Sequence, residues 1–182
     1  MRKVMVLVRE PVRLSAIDVA GARGRRVLAA EVPDARPVAV VSFWVDRVDD
    51  VPAFDGCWVY EVTEHERWTD AEPTLSRWVF LVRNPELDRA GFEARYAHHA
   101  TLARVHHPDI CRYTQDVVQR ALTPGAPWFD GVSELGLWDR EAMQTRHYDS
   151  PEGQAIVTAD IAGFLDPTGS VAVLGTEQQG SR

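Results

Sequence analysis

The sequence predicts an α+β protein, in which tandem ferredoxin-like modules form an α+β barrel with antiparallel sheets and helices on the outer face. Three observations predict it. Valine-rich runs open each half, at Lys3 and Arg77, 74 residues apart. The tripeptide Phe-Asp-Gly recurs at Phe54 and Phe129, 75 residues apart, each time opening a strand-forming run that ends in an acidic turn. From Arg77 onward the elements read βαβ–βααβ, the order of a ferredoxin-like unit. Such a unit has helices on one face of its sheet only, so the other face is apolar and must be covered. Two sheets packed face to face cover each other, within one chain or between two.

Each element has a local reason. Lys3–Val8 is a strand closed by Pro11. Residues 15–30 read as an irregular helix with Ser15 as its N-cap, weakened by Gly21 and Gly24. The arginines Arg9, Arg13, Arg23, Arg25 and Arg26 would then lie on its solvated face, with anion binding the other reading. Pro33 and Pro37 bracket a turn, Val38–Val45 and Cys57–Val62 are strands, and the polar residues 63–74 form a loop. Arg77–Arg83 is a strand broken by Asn84 and Pro85, and Glu86–His106 is the main helix. Ile110–Val118 alternates as a strand, and a second strand runs from Phe129 to near Trp138. Glu141–Tyr148 is helical, and Ser150 caps a further helix that has Pro151 in its first position and ends near Phe164. Val171–Glu177 is the last strand. The resulting division is 1–72, a degenerate repeat without counterparts of the later helices or last strand; 73–178, the complete unit; and 179–182, a flexible tail.

Composition excludes several classes. Lysine and arginine number 20 against 27 acidic residues, a formal charge of −7, which disfavours a nucleic-acid partner because phosphate neutralisation needs clustered cations. Cys57 and Cys111 show neither a metal-binding spacing nor a disulfide framework. No apolar run is long enough to span a membrane, and the first residues read as a strand rather than a signal peptide. The expected location is cytoplasmic. Glycine-rich phosphate loops and a nucleophile elbow are missing from the sequence, and no cofactor is expected.

The chemistry gathers on the main helix. At 100° per residue, Phe92, Tyr96, His99, Ala103 and His106 fall within about 80° of one another, an apolar stripe carrying a phenol and two imidazoles. Such a stripe is either core or the wall of a pocket. His99 beside Tyr96 has the composition of a proton-transfer site; His98 lies about 100° away, toward the surface or helix edge. His106 and His107 precede Pro108 and read as the helix end. No histidines are spaced i, i+4 and no HExxH run is present, so no metal is expected. On the strand from Ile110, Tyr113 and Gln115 share a face and offer hydrogen bonds to substrate oxygens, or form a half-polar sheet face. Glu134 is a lone carboxylate in an apolar strand; burial would raise its pKa and make it an acid or base, whereas an edge position would leave it solvated. Trp128, in the proline-rich loop, is a candidate lid.

Four blocks from Arg77 to Glu177 carry a resemblance. They are FEARYAHHATLARVHHP with RYTQDVV, FDGVSELGLWD, SPEGQAIVTADIAGFLD, and VAVLGTE. In this order they resemble the EthD family of dimeric α+β barrel proteins. The family usually reads His-Ala-Pro-Leu where this chain has His99-Ala100-Thr101-Leu102, and either His98 or His99 stands at the equivalent position. The resemblance implies a cavity between sheet and helices lined by His, Tyr and acidic groups. It also implies planar, oxygenated, hydrophobic substrates, and relatives that include cofactor-free monooxygenases and polyketide cyclases, dehydratases and decarboxylases. Asp160 matches an acidic position of the family, where it would orient His99 or lie solvated on the helix.

The expected function is cofactor-independent general acid–base catalysis on a hydrophobic oxygenated molecule, polyketide-like or aromatic, of the cyclase or dehydratase (lyase) type. His99, Tyr96 and Glu134 are the expected catalytic residues. His98, Tyr113, Gln115, Trp128 and Asp160 would bind substrate. A cofactor-free monooxygenase or a non-catalytic small-molecule-binding protein are the alternatives. The expected partner is a small molecule, with neither nucleic acid nor membrane, and a homodimer is one way to close the barrel.

Overall fold

Eight antiparallel strands close into a barrel within the single chain, in the order β1-β3-β2-β8-β5-β7-β6-β4. They are β1 (Arg2–Val8), β2 (Arg25–Ala30), β3 (Ala39–Val45), β4 (Cys57–Thr69), β5 (Leu75–Arg83), β6 (Ile110–Ala121), β7 (Gly131–Leu137) and β8 (Leu165–Gly180). Three helices, α1 (Arg89–His106), α2 (Arg140–Thr145) and α3 (Pro151–Phe164), lie in the connections of the second half. The computed structural model describes residues 1–11, 14–32 and 37–180; Arg13 and Pro33 lie outside them. No helix among the described residues is long and apolar enough to cross a membrane.

Reading around the barrel, each half has the same strand order, β4-β1-β3-β2 and β8-β5-β7-β6. The halves join at the seams β2–β8 and β4–β6. The first half therefore has four strands, including a last one. The valine-rich runs fall on corresponding strands, β1 and β5. The Phe-Asp-Gly repeats do not: one precedes β4 and the other β7, the fourth and third strands of their halves.

Side-chain alternation divides the sheet into an inside and an outside. Met5, Leu7, Leu28, Val40, Tyr60, Val62, Trp78, Phe80, Val118, Val132 and Val173 bring one apolar core together from all eight strands. Their neighbours Val4, Val6 and Val8 face out into a second cluster with Ile17, Val41 and Phe43. In the first half, loops and short 3-10 turns cover that outer face; in the second half, α1 and α3 do so.

Two sequence readings are corrected here. Residues 15–30 are not a helix: a 3-10 turn at Leu14–Ala16 gives way to a loop with Gly21 at φ 78°, and then to β2. A left-handed glycine ends helical geometry, and Leu28 is needed by the barrel interior. Arg26 consequently turns inward instead of lying on a solvated face. Residues 63–69 are not loop: β4 continues to Thr69, paired with β6 as far as Arg112. This polar extension is held by its ladder and by Trp68, whose ring packs 5.0 Å from that of Tyr113.

One end of the interior is ionic. The Lys3 Nζ donates to Glu64 at 2.7 Å, Asp116 at 3.0 Å and Glu134 at 2.8 Å, and Arg26 donates to Glu134 at 2.6 Å. Burial works against the Lys3 charge, but the three carboxylates outweigh it and raise its pKa. Burial, with the nearby charge of Glu134, lifts Asp116 well above the carboxylate range. Burial also opposes the Glu134 charge, yet Lys3 and Arg26 prevail and hold its pKa below the usual value. Truncating the shared cation leaves buried carboxylates unpaired, which costs about 3–5 kcal/mol in comparable cases. Lys3→Met is therefore expected to lower unfolding stability by about that amount in urea titration, with part of the loss recovered in Lys3→Met/Glu134→Gln. A stability unchanged by Lys3→Met would contradict this arrangement.

Candidate functional site

Helix α1 begins at Asp88, whose side chain accepts from the Gly91 amide at 2.7 Å. It lays Phe92, Tyr96, His99 and Ala103 against the outer face of the second-half sheet, as their spacing predicted. Gly131 on β7 permits the close approach. A Cβ there would sit 3.0 Å from the Tyr96 ring and 3.1 Å from the Asp116 carbonyl oxygen. Helix α3 starts at Ser150, which accepts from the Gly153 amide at 2.9 Å, with Pro151 in its first turn. Its Phe164 ring lies 5.3 Å from that of His99.

Between α1, α3 and the outer faces of β5, β6 and β7 lies a cleft of about 320 Å³. Val79, Leu81, Leu135, Ile161 and Phe164 supply apolar wall, and His99, Tyr96, Tyr113 and Ser133 supply polar groups. Its size and composition suit a small, largely apolar ligand.

His99, not His98, faces this cleft; His98 is exposed. The His99 Nδ1 lies 2.8 Å from Asp160 Oδ2. An ionised carboxylate can only accept, so Asp160 fixes the proton on Nδ1 and leaves the Nε2 lone pair for a ligand. Burial lowers the His99 pKa below 6.5, with Asp160 opposing it. At neutral pH His99 is thus a neutral, oriented imidazole.

The same cleft is lined by a chain of hydroxyls. The Ser133 Oγ is 3.0 Å from the Tyr96 hydroxyl and 3.2 Å from the Tyr113 hydroxyl. The Gln115 Nε2 donates to the Tyr113 hydroxyl at 3.0 Å and to the Tyr96 carbonyl at 2.6 Å. That carbonyl, together with Arg67 donating to Gln115 Oε1 at 2.8 Å, fixes the amide orientation. Three hydroxyls carry three protons, and the two contacts between them use two. The third is left to donate to a ligand oxygen. Burial raises the pKa of both tyrosines, which keeps them neutral donors.

The remaining expected residues separate. Gln115 is fully buried, does not line the cleft, and donates to the Tyr113 hydroxyl. Glu134 does not reach the cleft: it alternates with Ser133 and Leu135, points into the barrel, and its pKa falls rather than rises. Trp128 is 45% exposed and donates to Asp130 at 3.0 Å, away from the cleft. Ser133, Arg77, His107, His147 and Tyr148 line the cleft and were missed by sequence reasoning. A serine inside a strand has no motif, and His147 meets the site only through the α2–α3 connection. Burial pushes His107 down to about 4.

A cleft between sheet and helices, lined by His, Tyr and acidic groups, is what the resemblance implied. The EthD domain model matches residues 84–168, which include α1, β6, β7, α2 and α3. No curated protein sequence matches the chain significantly. Among solved structures, an anthrone oxidase-like protein aligns with TM-score 0.64 and 11% identity, covering 100% of this chain and 94% of the other. A candidate monooxygenase from Fusobacterium nucleatum subsp. nucleatum ATCC 25586 aligns at TM-score 0.60 and 10% identity, covering 100% and 94%. Another from Lactobacillus acidophilus NCFM aligns at 0.55 and 10%, covering 99% and 95%. At these identities the likeness establishes the fold, and it extends over the whole barrel rather than the EthD domain alone.

The His99 imidazole is expected to titrate below the ordinary 6.5 in NMR pH titration. In Asp160→Asn it is expected to titrate lower still, because the carboxylate is what supports the protonated form. Titration above the ordinary value, or no response to Asp160→Asn, would contradict the assigned pair.

Proposed function

We propose that this protein is an enzyme that acts by general acid–base catalysis on a hydrophobic, oxygenated small molecule bearing an enolisable or phenolic group. The observation that carries this reading is the presence, in one cleft, of the neutral His99–Asp160 pair and a hydroxyl chain with an uncommitted proton. His99 Nε2 takes a proton from carbon or hydroxyl. The negative charge that develops on the substrate oxygen is met by the free hydroxyl proton of the Tyr96–Ser133–Tyr113 chain, and Asp160 stabilises the imidazolium. Exposed Arg77, which makes no ion pair among the described residues, adds a cation at the mouth.

Two fates of the resulting anion fit this site. In a cyclase or dehydratase, the anion attacks a second carbonyl of the same molecule and the protonated His99 gives its proton to the alkoxide that forms; where water is then lost, His99 takes a second α-proton and returns it to the departing hydroxide. In a cofactor-free monooxygenase, the anion gives its electrons to dioxygen, so that a CH₂ group and O₂ become a carbonyl and water. The names of the aligned structures favour the second fate and suggest anthrone as a probe.

The matching strand order supports residues 1–72 as a copy of the same module that has lost its helices, and with them its cleft. Residues 73–178 are then the working unit.

With anthrone, wild-type protein is expected to consume oxygen and form the anthraquinone, and His99→Ala to lose about 10²–10⁴-fold in rate. Undiminished turnover by His99→Ala would overturn the proposed base. Substrate conversion without oxygen uptake would assign the lyase chemistry, and binding without conversion of any enolisable aromatic would make the protein a carrier.

A further inference from the structure

The cleft has a second polar end that the acid–base reading does not use. His107 at the α1 C-cap, Asp109 in the turn to β6, and His147 between α2 and α3 each place one potential ligand atom within 4.8 Å of the other two. Asp109 is completely buried. Its Oδ2 accepts from His147 Nδ1 at 2.9 Å, while its Oδ1 has no hydrogen-bond partner and no solvent contact. A buried carboxylate oxygen without a partner is rare in native proteins, because its desolvation is uncompensated. His107 donates its Nδ1 proton to the His147 carbonyl at 2.6 Å, which ties α1 to the loop. The two imidazole rings are 4.5 Å apart, with Tyr148 packed against both at 4.8 and 4.6 Å. His107, His147 and Tyr148 also line the cleft.

We propose that His107, Asp109 and His147 form a binding site for one divalent transition-metal ion. Its open coordination positions would face the cleft. Two imidazoles and a carboxylate suit zinc, cobalt, ferrous iron, nickel or copper better than magnesium or calcium, which prefer all-oxygen shells. Bonds of 2.0–2.1 Å in a tetrahedral site bring ligand atoms to about 3.3 Å from one another, so side-chain shifts on the order of 1 Å close the set. The ion takes up the unpartnered Asp109 oxygen and leaves one or more positions for water or a ligand oxygen. This site is independent of whether His99 is the base, and its test does not depend on turnover.

Chelator-stripped protein titrated with Co²⁺ is expected to develop visible d–d absorption that saturates at one equivalent and is displaced by Zn²⁺. His147→Ala and Asp109→Asn are each expected to weaken binding by about 10–100-fold, while His98→Ala, at an exposed position, leaves it unchanged. Circular dichroism of each variant checks the fold. If Asp109→Asn does not fold, His147→Ala alone decides, since its side chain is 30% exposed. Absence of a one-equivalent site, or affinity unchanged in His147→Ala, would overturn the proposal.

Discussion

Side-chain alternation around a closed sheet is the constraint on which the rest of this structure depends. Once eight strands close, every residue on them belongs either to the barrel interior or to the outer face, and sequence neighbours part company. Ser133 enters the cleft and Glu134 enters the ionic interior. Tyr113 and Gln115 lie under α1, whereas Asp116 is bound to Lys3. The interior is packed by apolar side chains from every strand and locked at one end by a cluster of opposite charges. The His99 cleft forms where helices cover the outer face and leave a gap.

That cover differs between the halves. Both have the same strand order, but only the second has helices long enough to stand off from the sheet. Over the first half, loops and 3-10 turns pack directly onto the valine-rich outer face and fill it. Over the second, Phe92 and Tyr96 bring α1 down onto Gly131, while α3 approaches from the side and supplies Asp160 and Phe164. The cleft is the space left between them. The EthD match covers the helical part of this half and ends just as β8 begins.

How much of this was legible in the sequence follows from the range of each signal. The α1 stripe is local, and Phe92, Tyr96, His99 and Ala103 are buried as the helical period required. The resemblance left Asp160 either orienting His99 or solvated on its helix, and the structure places the two side chains 2.8 Å apart. Interactions set by barrel closure were not legible. Glu134 looked like a catalytic carboxylate because nothing near it in sequence reveals Lys3, 131 residues away, as its partner. Residues 15–30 had helical composition, but Gly21 and the demand for an eighth strand prevailed. The Phe-Asp-Gly repeat suggested equivalent strands and marks two that are not, because a three-residue match carries no topology. His147 and Asp109 meet across 38 residues, beyond any spacing rule.

The central claim is that His99 and the hydroxyl chain together stabilise the deprotonated form of a bound substrate. It is tested most directly by anaerobic difference spectroscopy of anthrone added to excess protein, where the neutral and anionic forms absorb at different wavelengths and no oxygen is available for further reaction. The anion band is expected with wild-type protein and not with His99→Ala that still binds the ligand. A neutral spectrum with ligand-saturated wild-type protein, or the same anion band with both proteins, would contradict it.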